Sequence, residues 1–174
     1  MVSDGGAGLV LCHPDVAADL SGNEGVHVVG MAQSGGQRSY QNEDHIDRPW
    51  IATAAARLRQ QYGITPEDVD VLYIQDPTSL WVLQMLEAYG FCGRGEAGDF
   101  VQDGRIGIGG ELPLNTNGGQ LAESYMWGWL HLCEAVRQLR GECGDRQVPS
   151  PEIAVDCSSH DFLKGAASIL STHQ

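Results

Sequence analysis

Residues Asn115–Leu139 read NTNGGQLAESYMWGWLHLCEAVRQL. The stretch opens on a glycine-rich turn, Asn115-Thr116-Asn117-Gly118-Gly119. It then runs into an apolar pattern in which Leu121, Met126, Trp129, Leu130, Cys133, Val136 and Leu139 recur at helical spacing. That recurrence predicts a helix with a wide apolar face. Asn and Gly ahead of it are helix-start residues, because the first N–H groups of a helix need acceptors from outside. Such a turn gathers backbone N–H groups in one direction, which suits an anion, a phosphate or a polarised carbonyl. Tyr125 and Trp127 fall in the first expected turns, so a functional site is expected at this end. A plain connection between two elements is the other reading of the same glycines.

With 174 residues the chain is long enough for one domain with its own core. Apolar content of 42% and charged content of 19% are ordinary for a globular protein. A net charge of −13 with only 10 Lys+Arg argues against nucleic acid or an anionic membrane as partner, since both are bound through clustered cations. An anionic ligand held by a few arginines and backbone N–H groups stays compatible. Lys164 is the sole lysine, which leaves one candidate for Schiff-base chemistry. The five cysteines are scattered without a CxxC pair, and the histidines show no i, i+4 pairing, so no disulfide framework, metal or resident cofactor is expected. No apolar run approaches a membrane span and no basic-plus-apolar leader opens the chain; a reducing cytoplasm is the expected compartment.

Along the chain, Leu9–Leu11 and Val26–Met31 read as strands, with a short helix over Pro14–Leu20 between them. Ala32–Asp47 is a long polar loop. Pro49–Tyr62 is an amphipathic helix closed by Gly63, and Thr65-Pro66-Glu67-Asp68 is a capped turn before a strand over Val69–Ile74. Asp76 follows that strand, as a helix cap or as a site residue. A second helix over Ser79–Tyr89 closes at Gly90, and Glu96–Val101 is a short helix. Glu152–Cys157 and Ala166–Leu170 are the last two strands.

Two stretches, YGFCGRGEAGDFV (89–101) and LPLNTNGGQLAESY with its continuation EAVRQLRG (112–141), resemble the thiolase superfamily. The resemblance runs from Val2 to Leu170. It points to the branch of thiolase-like lipid-transfer proteins of the sterol carrier protein x type and of steroid side-chain aldolases. It implies an α/β fold, the C-terminal half of the thiolase fold, with a five-stranded mixed sheet and helices on both faces. Residues 1–12 would then be the last strand of an N-terminal half, and residues 13–174 the C-terminal domain.

The resemblance also implies a site. In thiolases the glycine-rich turn precedes a catalytic Gly-His-Pro; here Tyr125 stands at the histidine's place, as in the aldolase-like branch. At the end of the preceding strand that branch carries Tyr-Asp, and this chain carries Gln75-Asp76. A glutamine hydrogen-bonds but does not transfer protons in the ordinary pH range. Cys157 falls near the place of the second thiolase cysteine, but Ser158-Ser159-His160-Asp161 replaces the glycine-rich turn. Cys157 and His160 are therefore weaker candidates, with a buried thiol and a surface histidine as the alternative.

The implied reaction is retro-aldol cleavage of a β-hydroxy acyl-CoA, with coenzyme A as part of the substrate and no further cofactor. Tyr125 would exchange the hydroxyl proton or bind the hydroxyl, and Asn115, Asn117, Gly118 and Gly119 would shape the substrate-binding turn. The positive end of the expected helix would assist the phenol. Implied partners are an N-terminal thiolase-like half or a second copy of the chain, and an OB-fold acyl-CoA-binding protein. The alternatives are a non-catalytic lipid-transfer or scaffold subunit, and a fragment of a true acyl-CoA thiolase.

Overall fold

Val71–Ile74 (β2) is apolar at every position and buried at every position. A strand of that kind needs cover on both faces. The computed structural model, which describes residues 4–19, 25–35, 49–160 and 164–173, supplies it from helices on either side. The other strands are β1 (His27–Gly35), β3 (Ile153–His160) and β4 (Lys164–Ser171). They form one sheet in the order β1-β4-β3-β2, with β1–β4 and β4–β3 antiparallel and β3–β2 parallel.

The sheet has four strands where five were expected. Two local facts account for the difference. Leu9–Leu11 is not paired with any described strand, and Val10 and Leu11 are 94% and 82% exposed. On the far side of β2, the chain at Leu114 makes a single parallel bridge to Leu72 and then turns away. It turns because Asn115 takes a left-handed conformation (φ 48°). The Asn115 side chain finishes the edge instead: its Oδ1 accepts from Ile74 N at 2.9 Å and its Nδ2 donates to Ile74 O at 2.9 Å. One carboxamide thus replaces the next residue of a fifth strand.

Among the described residues, five α-helices accompany the sheet: α1 (Pro14–Asp19), α2 (Pro49–Tyr62), α3 (Ser79–Tyr89), α4 (Ala97–Phe100) and α5 (Trp129–Leu139). α2 and α3 match their expected bounds. Trp50, Ile51, Ala55 and Leu58 of α2 and Met85, Leu86 and Tyr89 of α3 pack on Leu72, Ile74, Val155, Cys157 and Ile169 of the sheet. Thr78 caps α3 by accepting from Trp81 N, and Gly90 ends it in a left-handed conformation that glycine adopts without strain. The opposite face, with Val71, Tyr73, Ala154 and Leu170, is covered by Ala135 and Leu139 of α5. The expected loop after Ala32 lies mostly outside the described residues, although β1 continues to Gly35.

α5 departs from expectation twice. It starts at Trp129, not near Leu121, because Trp127 (φ 54°) and Gly128 (φ 87°) are both left-handed and interrupt the helical path. Residues 115–128 are turns instead. Its buried face is also rotated: His131, Glu134, Ala135, Gln138 and Leu139 are buried, while Trp129 is exposed and Leu130, Cys133 and Val136 are only half-buried.

At Gly165 the backbone of α2 lies close against the sheet. A Cβ there would stand 2.9 Å from Ile51 Cα, a backbone atom of the helix. Gly165→Ala is expected to lower stability by about 1–3 kcal/mol, read as a fall in Tm against the wild-type chain; an unchanged Tm would show that α2 can slide off the sheet without loss.

Candidate functional site

The site is built on the carboxyl end of β2, where parallel strands leave their loops. Gln75 and Asp76 follow Ile74 directly, and both are buried. Gln75 is held by its backbone N–H donating to Cys157 O at 3.0 Å. Asp76 is held by the glycine-rich turn. Gln120 N donates to its Oδ1 at 2.8 Å, and Leu121 N donates to its Oδ2 at 3.3 Å. The expectation that this turn would hold an anion is therefore met from inside the chain: the anion is Asp76.

The turn has few amides to spare. Gly118 N donates to Asn115 O at 2.8 Å, and Gly119 N donates to Asn117 Oδ1 at 3.3 Å. Asn117 Nδ2 donates to Glu123 Oε2 at 3.1 Å. Asn115 is committed to the edge of β2, as described above. Of the four expected substrate-binding residues, Asn115 and Asn117 thus use their side chains, and Gly118 and Gly119 their N–H groups, to shape the turn. Gly119 (φ 74°) is where the turn lies against the carboxylate; a Cβ there would overlap Asp76 Oδ2.

The turn is anchored a second time through Thr116. Its Oγ1 lies 2.9 Å from Tyr73 Oη and 3.2 Å from Glu134 Oε1, and Gln138 Nε2 donates to it at 3.1 Å. Arg146 holds Glu134 through both nitrogen–oxygen pairs at 3.1 Å. Burial pushes the Tyr73 hydroxyl above the ordinary phenol range, so it stays protonated within this layer.

From this anchored turn the chain carries Tyr125 back to β2. Gln75 Nε2 donates to Tyr125 Oη at 3.2 Å. Tyr125 is 45% exposed, and its ring meets Trp127 edge-on with centroids 5.3 Å apart. The structure thus joins Gln75, Asp76, Tyr125 and the 115–119 turn in one group. The helix end expected to assist Tyr125 does not do so, because α5 begins four residues beyond it.

Cys157 is placed differently. Its backbone carbonyl supports Gln75, but its side chain is fully buried in the core under α2 and α3. Burial, and secondarily Asp156, push its thiol well above the usual range, which disfavours a thiolate nucleophile. His160 ends β3, and its side chain lies outside the described residues. Among the described residues, no three His, Cys, Asp or Glu side chains are grouped to hold a metal ion.

Two further buried groups carry signals that spacing alone hides. His131 is fully buried on α5, with its Nε2 3.4 Å from Asp76 Oδ1 and its ring 5.9 Å from that of Tyr73. Asp156 on β3 is pushed up to about 7 by desolvation, an effect that His131 opposes. His131, Glu134 and Gln138 recur at i, i+3 and i+7, a polar stripe within the helix. An apolar-only count of the helix face passes over that stripe.

The chain belongs to a protein family: residues 32–172 match the model described as "Thiolase C-terminal domain-like". Among its relatives is a steroid side-chain-cleaving aldolase of Thermomonospora curvata, 40% identical over 144 residues, which are 80% of this chain and 37% of that protein. Another is the 17-hydroxy-3-oxo-4-pregnene-20-carboxyl-CoA lyase of Mycobacterium tuberculosis, 45% identical over 103 residues, 59% of this chain and 27% of that protein. The solved structure of the Ltp2-ChsH2(DUF35) aldolase superposes with a TM-score of 0.76 at 34% identity, over 83% of this chain and 38% of that one. The chain spans well under half the length of these relatives. Among the described residues, no helix is long and apolar enough to cross a membrane.

Two outcomes test the geometry. Gly119→Ala combines a left-handed backbone with displacement of Asp76, and is expected to cost about 2 kcal/mol or more in denaturant unfolding. For Asp156, the folded protein holds a proton that the unfolded chain releases near pH 4. Stability therefore falls as pH rises from about 4 to about 7 and then levels. Asp156→Asn removes that dependence, so its Tm relative to wild type is expected to climb across this window; a flat difference would remove the buried acid from the account.

Proposed function

We propose that this chain forms the C-terminal part of a thiolase-like acyl-CoA lyase that cleaves a β-hydroxy acyl-CoA by retro-aldol chemistry, with a steroid or other lipid acyl group. The observation that carries the reading is the hydrogen bond from Gln75 Nε2 to Tyr125 Oη, set on a turn locked by Asp76. It sets a half-exposed phenol over the carboxyl end of β2, with its hydroxyl oriented by the Gln75 carboxamide. The relatives of this chain include a side-chain-cleaving aldolase and a carboxyl-CoA lyase, which supports the reaction class.

In this reaction Tyr125 takes the proton of the β-hydroxyl. The β-carbon bearing that oxygen becomes the carbonyl of a ketone or aldehyde as the Cα–Cβ bond breaks, and the electron pair passes to Cα as the thioester enolate. A proton then returns to Cα to give the shorter acyl-CoA. Gln75 steadies the phenolate without itself moving a proton. The enolate oxygen needs donors while its charge develops. The N–H groups of residues 118–121 already serve the chain's own turn, so those donors come from outside it, which is in keeping with a thiolase-like N-terminal half as partner. A second copy of the chain and an OB-fold acyl-CoA-binding protein are the other proposed partners.

A scaffold or lipid-transfer role is the second reading, favoured by one observation: Gln75 supplies no titratable group beside Tyr125. A retro-aldol assay on a steroid-type β-hydroxy acyl-CoA separates the two. With an N-terminal half and an OB-fold partner present, Tyr125→Phe is expected to lower kcat by about 100-fold or more, the scale of a lost general base. Equal rates for wild type and Tyr125→Phe would reject the assignment, and tight partner binding without turnover would favour the scaffold.

A further inference from the structure

We propose that His131 is the positioning residue of this site: it donates from Nε2 to Asp76 Oδ1 and so holds the carboxylate on which the turn carrying Tyr125 is built. The inference goes behind the proposed reaction and rests on that reading only for its kinetic arm.

His131 has no exposed surface, and Asp76 is almost as deeply buried. Their nearest atoms are 3.4 Å apart, and as placed neither ring nitrogen makes a well-aligned hydrogen bond, to Asp76 or to any other described residue. A buried imidazole left in that state would be costly, so the ring has a physical reason to close on the nearby Asp76 oxygen. Both Asp76 oxygens already accept from backbone amides. The carboxylate therefore offers only lone pairs, and the nitrogen facing it carries the proton.

The groups around the ring support one direction of pull. From β2 it faces Tyr73, whose hydroxyl is turned to Thr116. From β3 it feels Asp156, with which it interacts electrostatically. On β4, Ser168 is the register partner of Asp156 and Leu170 lines the same apolar face; neither titrates in the ordinary range. One turn along α5, Glu134 is engaged by Arg146. The result is a histidine that interacts with two acids, Asp76 just beyond β2 and Asp156 on β3, the first of which grips the turn. Through Asp76 it fixes Gln120 and Leu121, and through the turn it sets Tyr125 against Gln75. His131 touches no reacting atom.

The test begins with the wild-type chain. Nitrogen-15 NMR of the imidazole is expected to show Nε2 protonated and its shift altered in Asp76→Asn; an Nδ1–H tautomer with a bare Nε2 would overturn the proposal without any His131 variant. The second arm compares His131→Gln, which keeps a donor at a similar reach, with His131→Leu, which does not. Hydrogen exchange of the Gln120 and Leu121 amides is expected to accelerate at least tenfold in His131→Leu, with α2 protection unchanged, and to stay within about threefold of wild type in His131→Gln. Equal protection in all three proteins would refute the positioning role. In the retro-aldol assay, His131→Leu is expected to lower kcat at unchanged KM, with His131→Gln restoring most of it. If wild type shows no turnover, the reaction reading fails while the tautomer and exchange results still decide the role of His131.

Discussion

Two backbone N–H groups on one carboxylate hold this site together. Asp76 stands at the end of a strand with no freedom of its own, because β2 is buried along its whole length. By accepting from Gln120 and Leu121 it ties a stretch more than forty residues away in sequence to that strand end. The other features follow from the tie. Gly119 has to lack a side chain, Thr116 is drawn into the layer between β2 and α5, and the chain leaves the turn in the direction that brings Tyr125 back over Gln75. A charge-assisted hydrogen bond in a buried setting is among the stronger polar contacts available to a protein, and here it is used for shape.

The layer under α5 gives the arrangement its stiffness. A helix normally buries apolar side chains against a sheet. This one buries a histidine, a glutamate and a glutamine beside Ala135 and Leu139. Each polar group costs free energy unless partnered. Glu134 and Gln138 find partners in Thr116, Arg146 and the backbone of Arg146 and Val148. Such a network defines one register between helix, loop and sheet, since a small shift would orphan several groups at once.

Much of this was legible in the sequence, and the failures have physical causes. α2 and α3 were bounded by plain signals, apolar periodicity and glycine stops, although the cap of α3 is Thr78 and not Asp76. Gln75 and Tyr125 were singled out through family resemblance, and the structure brings them within hydrogen-bonding distance. The start of α5 was misplaced because a Trp at positive φ has no local sequence signature, and Gly128 alone reads as an ordinary helical residue. The rotated face was missed because burial of His131, Glu134 and Gln138 depends on partners from three other segments. The five-stranded sheet was implied by the family resemblance alone, and no apolar run in the chain specifies its fifth strand; Leu9–Leu11, read as a strand of an N-terminal half, pairs with no described strand.

The carboxamide of Asn115 has a consequence for how the sheet meets other chains. An open sheet has two rows of unsatisfied backbone groups, and each is a template for another strand. Along β2 that row is closed by the bridge at Leu114 and by a side chain that imitates a peptide group. The outer row of β1 is met by side chains of α2 instead: Tyr62 Oη donates to Met31 O at 3.5 Å, and Arg57 donates to Gln33 O. The two sides of the sheet are therefore finished by different means, a loop carboxamide at β2 and helix side chains at β1, and a strand from another chain would meet a partly occupied row at either one.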